Sequence, residues 1–332
     1  MRAAARIFAA LTALAALAAG AVAFLLYAFG APGPLTEEKV VMIPRGAGLN
    51  LIAERLEEAG VIESRWIFIG GVVLEGRERS LKAGEYAFAP GVSAKGVMDL
   101  LRRGQTISYA LTVPEGRTSA EIVAMLQAED KLTGDIEEVP PEGSLLPETY
   151  HFTRGDTRQG VIDRMRKAMD EAVAEAWAGR AEDLPISTVE EAVILASIIE
   201  KETGVADERP LVASVMVNRL RRGMPLQSDP TVIYALTKGA APLGRELLRS
   251  DWAVESEYNT YRVPGLPPGP IANPGRASLE AAVNPAKTDY LYFVADGSGG
   301  HAFAESLEQH NRNVAAWRRL RQQQSQTPKP GG

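Results

Sequence analysis

The chain has 332 residues, 45% of them hydrophobic and 23% charged, and a formal net charge of −6. That is ordinary globular composition with room for two domains, and it gives no reason to expect a nucleic-acid partner. There is no cysteine, which excludes disulfides, thiolate metal sites and cysteine nucleophiles. His151, His301 and His310 are too scattered for a His-Glu-x-x-His zinc site, and nothing points to a metal or a cofactor.

Arg2 and Arg6 precede an uncharged run from Ile7 to Gly30. A bilayer-spanning helix needs about 20 apolar residues, whereas the apolar region of a secretory signal has about 7–15. Residues 7–30 are therefore read as an uncleaved transmembrane helix, with cleavage near Ala28-Phe29-Gly30-Ala31 as the lesser alternative. Basic residues lie before the run and Glu37-Glu38 after it. The positive-inside rule then places residues 1–6 in the cytoplasm and the rest outside the membrane. A cytosolic enzyme is excluded on the same ground. Ala31-Pro32-Gly33-Pro34 is a short stiff linker.

Three strand–turn–helix units follow with matching spacing. Pro44-Arg45-Gly46 precedes Ile52 and Leu56, Pro90-Gly91 precedes Val97 and Leu101, and Pro114-Glu115-Gly116 precedes Ile122 and Leu126. Each reads as an extended segment, a turn and an amphipathic helix. The extended parts are Val40–Ile43, Gly84–Phe88 and Ser108–Val113. Gly60 and Gly104 are placed to end helices, and Ser64 to Leu74 is a further apolar helix. Residues 38–107 thus form a small βααβ module, and the chain from 108 to 320 a larger mixed α/β domain. The fold class is α+β.

In the second domain, Gly143–Phe152 is a loop running into an extended segment, and Val161–Ala178, Pro210–Arg222 and Val232–Thr237 are helices. More than half of the residues from Arg262 to Gly275 are Pro or Gly, which forbids regular structure and predicts a rigid loop of the kind that holds ligands. Tyr290–Val294 is a strand, Ser306–Arg321 an amphipathic helix, and the polar tail 322–332 is expected to be disordered.

The helix that opens at Ser187 or Thr188, each with a Glu three residues on, has the capping-box pattern. It is apolar nearly all round through Ile199 and runs into Glu200. Desolvation there raises a carboxyl pKa, as a general acid at neutral pH requires. Glu202 lies roughly 200° further round the helix, so the spacing singles out Glu200. The plainer alternative is that Glu200 and Lys201 belong to a solvated last turn. There is no Gly-x-Ser-x-Gly elbow, phosphate loop or dinucleotide fingerprint. Ser197 and Lys201 share a helix face at i, i+4, which is not the Ser-x-x-Lys spacing. An isolated acid among Gln, Asn, Ser, Thr and Tyr, with Trp252, Tyr258 and Tyr261 able to stack on sugar rings, suits an extracytoplasmic glycan.

The segments Ile194–Thr203, Ala213–Leu220, Leu226–Tyr234, Tyr258–Tyr261, Gly265–Gly275, Asn284–Lys287, Tyr290–Asp296 and Gly299–Phe303 resemble, in order, the motifs of the MltG-type (YceG-like) endolytic murein transglycosylases. Leu146–Tyr150 fits the same pattern. The resemblance covers essentially the whole chain and implies a LysM-like first module, residues 38–107, and a YceG-like catalytic domain, 108–320. It further implies a lyase that cuts the β-1,4 bond between N-acetylmuramic acid and N-acetylglucosamine in nascent glycan strands. Glu200 would protonate the glycosidic oxygen and then deprotonate the C6 hydroxyl, which closes a 1,6-anhydro ring and ends strand elongation. Gln227, Ser228, Asp229, Tyr258, Asn259, Thr260 and Tyr261 would bind glycan, with Glu148 as a weaker contributor; several of them would equally well cap helices or close turns. The expected partners are peptidoglycan glycan strands, the cytoplasmic membrane and, by proximity alone, peptidoglycan synthases. Two alternatives stand beside this: a muramidase that hydrolyses the same bond with a second carboxylate, Asp229 or Glu148, and a membrane-anchored, non-catalytic glycan-binding scaffold.

Overall fold

Ala is the best intrinsic helix former, and an Ala- and Leu-rich stretch without proline forms one continuous helix, α1, at Arg2–Gly30. It belongs to a computed structural model that describes residues 2–326. This helix is long and apolar enough to cross a membrane.

The described chain divides into two compact units, one running up to Tyr109 and including His151–Asp156, the other taking Ala110–Tyr150 and everything from Thr157 onward. In the first, β1 (Lys39–Ile43) is followed by α2 (Leu49–Glu58), α3 (Arg65–Leu74), β2 (Gly84–Phe88) and α4 (Ala94–Arg103). The strands pair antiparallel, from Lys39 opposite Phe88 to Ile43 opposite Gly84. Val41 and Ile43 alternate inward, as a half-buried strand requires. Ser93 caps α4 by accepting from the Gly96 N–H at 3.1 Å. Gly104, at φ 72°, ends it in the left-handed conformation that only glycine adopts without strain. Ile43, Leu56, Phe68, Tyr86, Phe88 and Leu101 form the core. Phe29 of α1 joins them at 1% exposure, so this unit is larger than the module read from residues 38–107. The segment His151–Asp156 also belongs to it, through Arg154 to Glu85 at 3.0 Å and Asp156 to Arg45 at 3.1 Å.

Two short paired strands, β3 (Tyr109–Thr112) and β4 (Thr149–Phe152), carry the chain out of the first unit and back, with α5 (Ser119–Ala128) between them. Among the described residues, the longer regular elements in the rest of the second unit are helices and one antiparallel strand pair. In order they are α6 (Arg158–Ala178), α7 (Val189–Glu202), α8 (Arg209–Arg221), α9 (Asp229–Thr237), α10 (Arg276–Val283), β5 (Tyr292–Ala295), β6 (His301–Ala304) and α11 (Leu307–Gln326).

The centre of this unit is α7. It packs on α6, α8, α9 and α10, and Ala192 and every residue from Ile194 to Ile199 are buried. A helix apolar on all sides is stable only when it is enclosed on all sides. Thr188 opens it: its hydroxyl accepts from the Glu191 N–H at 3.2 Å while the Glu191 carboxylate accepts from the Thr188 N–H at 3.3 Å. Thr188→Ala should cost about 1 kcal/mol, read as a drop in the midpoint of thermal unfolding with activity unchanged. The helix α11 continues to Gln326, into the tail that composition marks as disordered from residue 322; the remainder of that tail, 327–332, lies outside the described residues.

Candidate active site

The last turn of α7 carries two carboxylates in different surroundings. Glu200 has only 5% of its side chain exposed. One of its oxygens accepts from the Gly275 N–H at 3.0 Å, and the other lies 3.5 Å from the Arg209 guanidinium. Gly275 is the residue before α10, so its N–H is one of the donors a helix start leaves free, at the positive end of the dipole. Arg209 opens α8, is nine-tenths buried, and also binds Glu115 at 3.1 Å. Burial and the nearby Glu200 charge raise the Glu115 pKa, with Arg209 opposing. A Cβ at position 275 would collide with the Glu115 carboxylate, so the close approach of these groups requires glycine there. Lys201 donates to the Gly116 carbonyl at 3.1 Å.

Glu202, on the opposite face, lines a cleft of about 370 Å³ together with Arg219, Leu226, Gln227, Asp229, Tyr261, Phe293 and His310. Burial pushes its pKa up to about 7; the Asp229 charge reinforces this, while the Ser228 hydroxyl, His301 and Arg219 oppose it. Asp229 is the first residue of α9, and one of its oxygens accepts both from the Tyr261 hydroxyl at 2.6 Å and from the Trp252 indole N–H at 2.9 Å. Burial, then the bond to Asp229, drives the Tyr261 pKa well above the ordinary tyrosine range. Tyr261 is therefore a neutral donor throughout the physiological range, and Asp229 is fixed in orientation. Gln227 sits at φ 54°, a left-handed conformation that costs a non-glycine residue about 1–3 kcal/mol and concentrates at functional sites. Its N–H donates to the Thr260 carbonyl at 3.1 Å, and its side-chain oxygen accepts from Arg219 at 3.3 Å.

The structure thus brings Gln227, Asp229 and Tyr261 together, around Glu202 and not around Glu200. Ser228 is buried behind them, its N–H donating to Thr260 Oγ1 at 3.0 Å. Asn259 and Thr260 are 0% and 1% exposed. Asn259 donates to the Trp252 and Val254 carbonyls and accepts from the Tyr261 N–H, while the Thr260 hydroxyl bonds Thr231 Oγ1 at 2.8 Å. Both hold the turn that presents Tyr261 and offer no free edge to a glycan. Tyr258 packs against Tyr234 with the rings tilted at 46° and their centroids 4.8 Å apart, under Lys238. Glu148 pairs with Arg276 at 2.8 Å. Ser197 is committed to backbone, donating to Ile194 at 2.7 Å and accepting from Ile271 at 3.1 Å, which leaves no Ser/Lys pair.

The loop rich in Pro and Gly is irregular, as its composition requires, and Ile271–Gly275 are buried. Asn273 holds the loop to Leu145, Arg117 and Ser119. Its visible task is to fix Gly275 against Glu200. The helical spacing that singles out Glu200 puts Glu202 on the other face. A helix that is apolar on all sides puts both faces of its last turn at the edge of the core, so Glu202 is a candidate on the same ground as Glu200.

The sequence profile of the YceG-like family matches residues 41–316. An endolytic murein transglycosylase of Bacillus subtilis (strain 168) is 34% identical over 304 residues, which cover 82% of this chain and 82% of that protein. Another, of Streptococcus pneumoniae serotype 2 (strain D39), is 32% identical over 83% of this chain and 57% of that protein. A 2.6 Å crystal structure of a yceG-like protein of Listeria monocytogenes superposes with a TM-score of 0.51 at 32% identity, over 83% of this chain and 99% of that one.

Proposed function

The chain belongs to the YceG-like family, and from that membership and the cleft on α7 we propose an endolytic peptidoglycan lytic transglycosylase in which Glu202, rather than Glu200, is the catalytic acid. It cleaves peptidoglycan glycan strands at the β-1,4 bond between N-acetylmuramic acid and N-acetylglucosamine. The observation that carries the choice of residue is a half-buried carboxyl, raised to about 7 by desolvation, lining one cleft with Gln227, Asp229 and Tyr261.

A group titrating near 7 is protonated in half the molecules at neutral pH and is suited to give and to take a proton. Glu202 gives its proton to the bridging oxygen as the bond from the muramoyl C1 breaks. The substrate's own acetamido group supports the developing positive charge. The C6 hydroxyl then attacks C1, and the Glu202 carboxylate takes the hydroxyl proton. The ring closes as a 1,6-anhydro sugar, no water is consumed, and the acid is regenerated. Gln227 and the Tyr261–Asp229 pair orient the sugar. Glu200 is a positioning residue: with Arg209 and Gly275 it ties the end of α7 to the starts of α8 and α10.

Because the free enzyme must carry the Glu202 proton, kcat/KM should fall above about pH 7, by about tenfold per unit once the group is ionised. Initial rates of strand cleavage measured against pH test this, and a rate flat through pH 9 would contradict it. Endolytic action predicts that strand lengths shift from long to intermediate early in digestion, with no early burst of disaccharide.

A retained N-terminal anchor is supported by Phe29, which sits in the core of the first unit; cleavage after it would remove a core side chain. Residues 1–6 lie in the cytoplasm and the active site outside, close to where strands and their synthases are found. The β1-α2-α3-β2 order supports reading residues 38–107 as a LysM-like module.

A further inference from the structure

The helix α3 is apolar on both faces; one turns into the core, and the other is covered only in part, where Gly70 meets α1. Phe68, Gly71 and Val72 turn into the core. On the outer side Trp66 is 68% exposed, Val73 49% and Leu74 50%. These positions are spaced i, i+7 and i+8, one stripe of the helix. The same helix is docked on the anchor. A Cβ at Gly71 would strike the Phe29 ring and one at Gly70 would meet Leu25 at 2.9 Å, so two adjacent glycines let α1 approach closely.

That docking sets the height of the stripe. At 1.5 Å per residue, the distance from Arg6 to Tyr27 is about 32 Å, close to the roughly 30 Å of a hydrocarbon core. With Arg6 at the inner boundary, Tyr27, which is 76% exposed, falls at the outer one, where tyrosine and tryptophan concentrate. Leu25 and Phe29, the residues that grip α3, straddle that level. Arg65 lies over the Trp66 ring at 5.1 Å, an amphipathic pair suited to headgroups outside and acyl chains below.

We propose that the outer stripe of α3, Trp66 with Val73 and Leu74, is immersed at the headgroup–acyl boundary, so that the first unit rests on the membrane by a second contact beside the anchor. The proposal relies on the reading of α1 as a retained anchor. An apolar stripe beside a transmembrane helix loses its contact with water on entering the lipid interface. The contact holds the unit in one orientation on the bilayer.

The absence of native cysteine makes single-site labelling direct. Full-length Val73→Cys and Leu74→Cys, each carrying an environment-sensitive fluorophore, are reconstituted in vesicles of phosphatidylcholine and phosphatidylglycerol. Leu17→Cys in α1 and Glu171→Cys on the exposed side of α6 serve as references. The proposal predicts blue-shifted emission at 73 and 74, with quenching strongest by lipids bearing the quencher near the headgroup, while 17 is quenched best from the deep chain and 171 by neither. Water-like emission at 73 and 74, with 17 still buried in lipid, would overturn the proposal and leave the anchor intact. Water-like emission at 17 would overturn the anchor reading and the proposal with it. Shielding at 73 and 74 that grows with protein density without lipid quenching would overturn it in favour of a second copy of the chain.

Discussion

Glu202→Gln should abolish strand cleavage while leaving the fold intact, whereas Glu200→Gln should keep turnover and lose stability. The amide at 202 keeps the shape of the side chain but neither gives nor takes a proton. General acid–base catalysis alone contributes about 10²–10⁴-fold, and here one group serves both steps, so the loss should reach at least the upper end of that range. Stability should respond in the opposite sense. The native Glu202 carboxyl binds its proton up to about pH 7, from an ordinary value of 4.5. Its contribution is therefore fully present below pH 4.5 and is lost as pH rises through 7. The wild type should weaken relative to Glu202→Gln across that window, as seen by denaturant unfolding at several pH values. At position 200 the Gln carbonyl can still accept from Gly275, but Arg209 loses half of its ionic partnership, at a cost of about 1–3 kcal/mol. Turnover in Glu202→Gln together with none in a folded Glu200→Gln would reverse the assignment.

Arg209→Leu should be the most damaging single change outside the cleft. Arg209 is nine-tenths buried and stands between Glu200 and Glu115. Removing one partner of a buried pair leaves an uncompensated charge, and such changes cost about 3–5 kcal/mol, a large part of what a domain has. The pH dependence identifies the cause. Burial and the Glu200 charge already raise the Glu115 pKa against Arg209; without the guanidinium the group must rise further and take up a proton more readily. The deficit of the variant is therefore greatest at neutral pH and shrinks on acidification, as Glu115 takes up its proton. Glu200→Gln placed in the same chain should restore part of the loss. A deficit under about 1 kcal/mol that does not change with pH would contradict this account, because it would give Arg209 the weight of a surface pair.

Much of the fold is written locally. The capping box at Thr188, the left-handed glycine at 104 and the alternation in β1 are short-range signals, and the elements begin or end there. β6 was not legible, since His301–Ala304 is a strand only by pairing with β5. The extension of α11 to Gln326 was missed because polar composition argues for disorder and against nothing else. At the site, Gln227, Asp229 and Tyr261 are side chains of sugar-binding type and do share a cleft. Asn259 and Thr260 are of the same type and are buried in turn-closing bonds; an amide or hydroxyl that binds sugars also locks loops, and sequence does not separate the two uses. Which of Glu200 and Glu202 lines the cleft depends on what lies beyond each face of α7. That is set by Arg209, Gly275, Asp229 and Tyr261, from distant parts of the chain, and no local pattern contains it.

The most direct measurement is mass spectrometry of the products released from uncrosslinked glycan strands by the wild-type chain and by Glu202→Gln, side by side. The account predicts internal fragments ending in anhydro-muramoyl sugars, lighter by one water than reducing ends, from the wild type and none from the variant. Reducing ends from the wild type, or anhydro ends still formed by the variant, would contradict it.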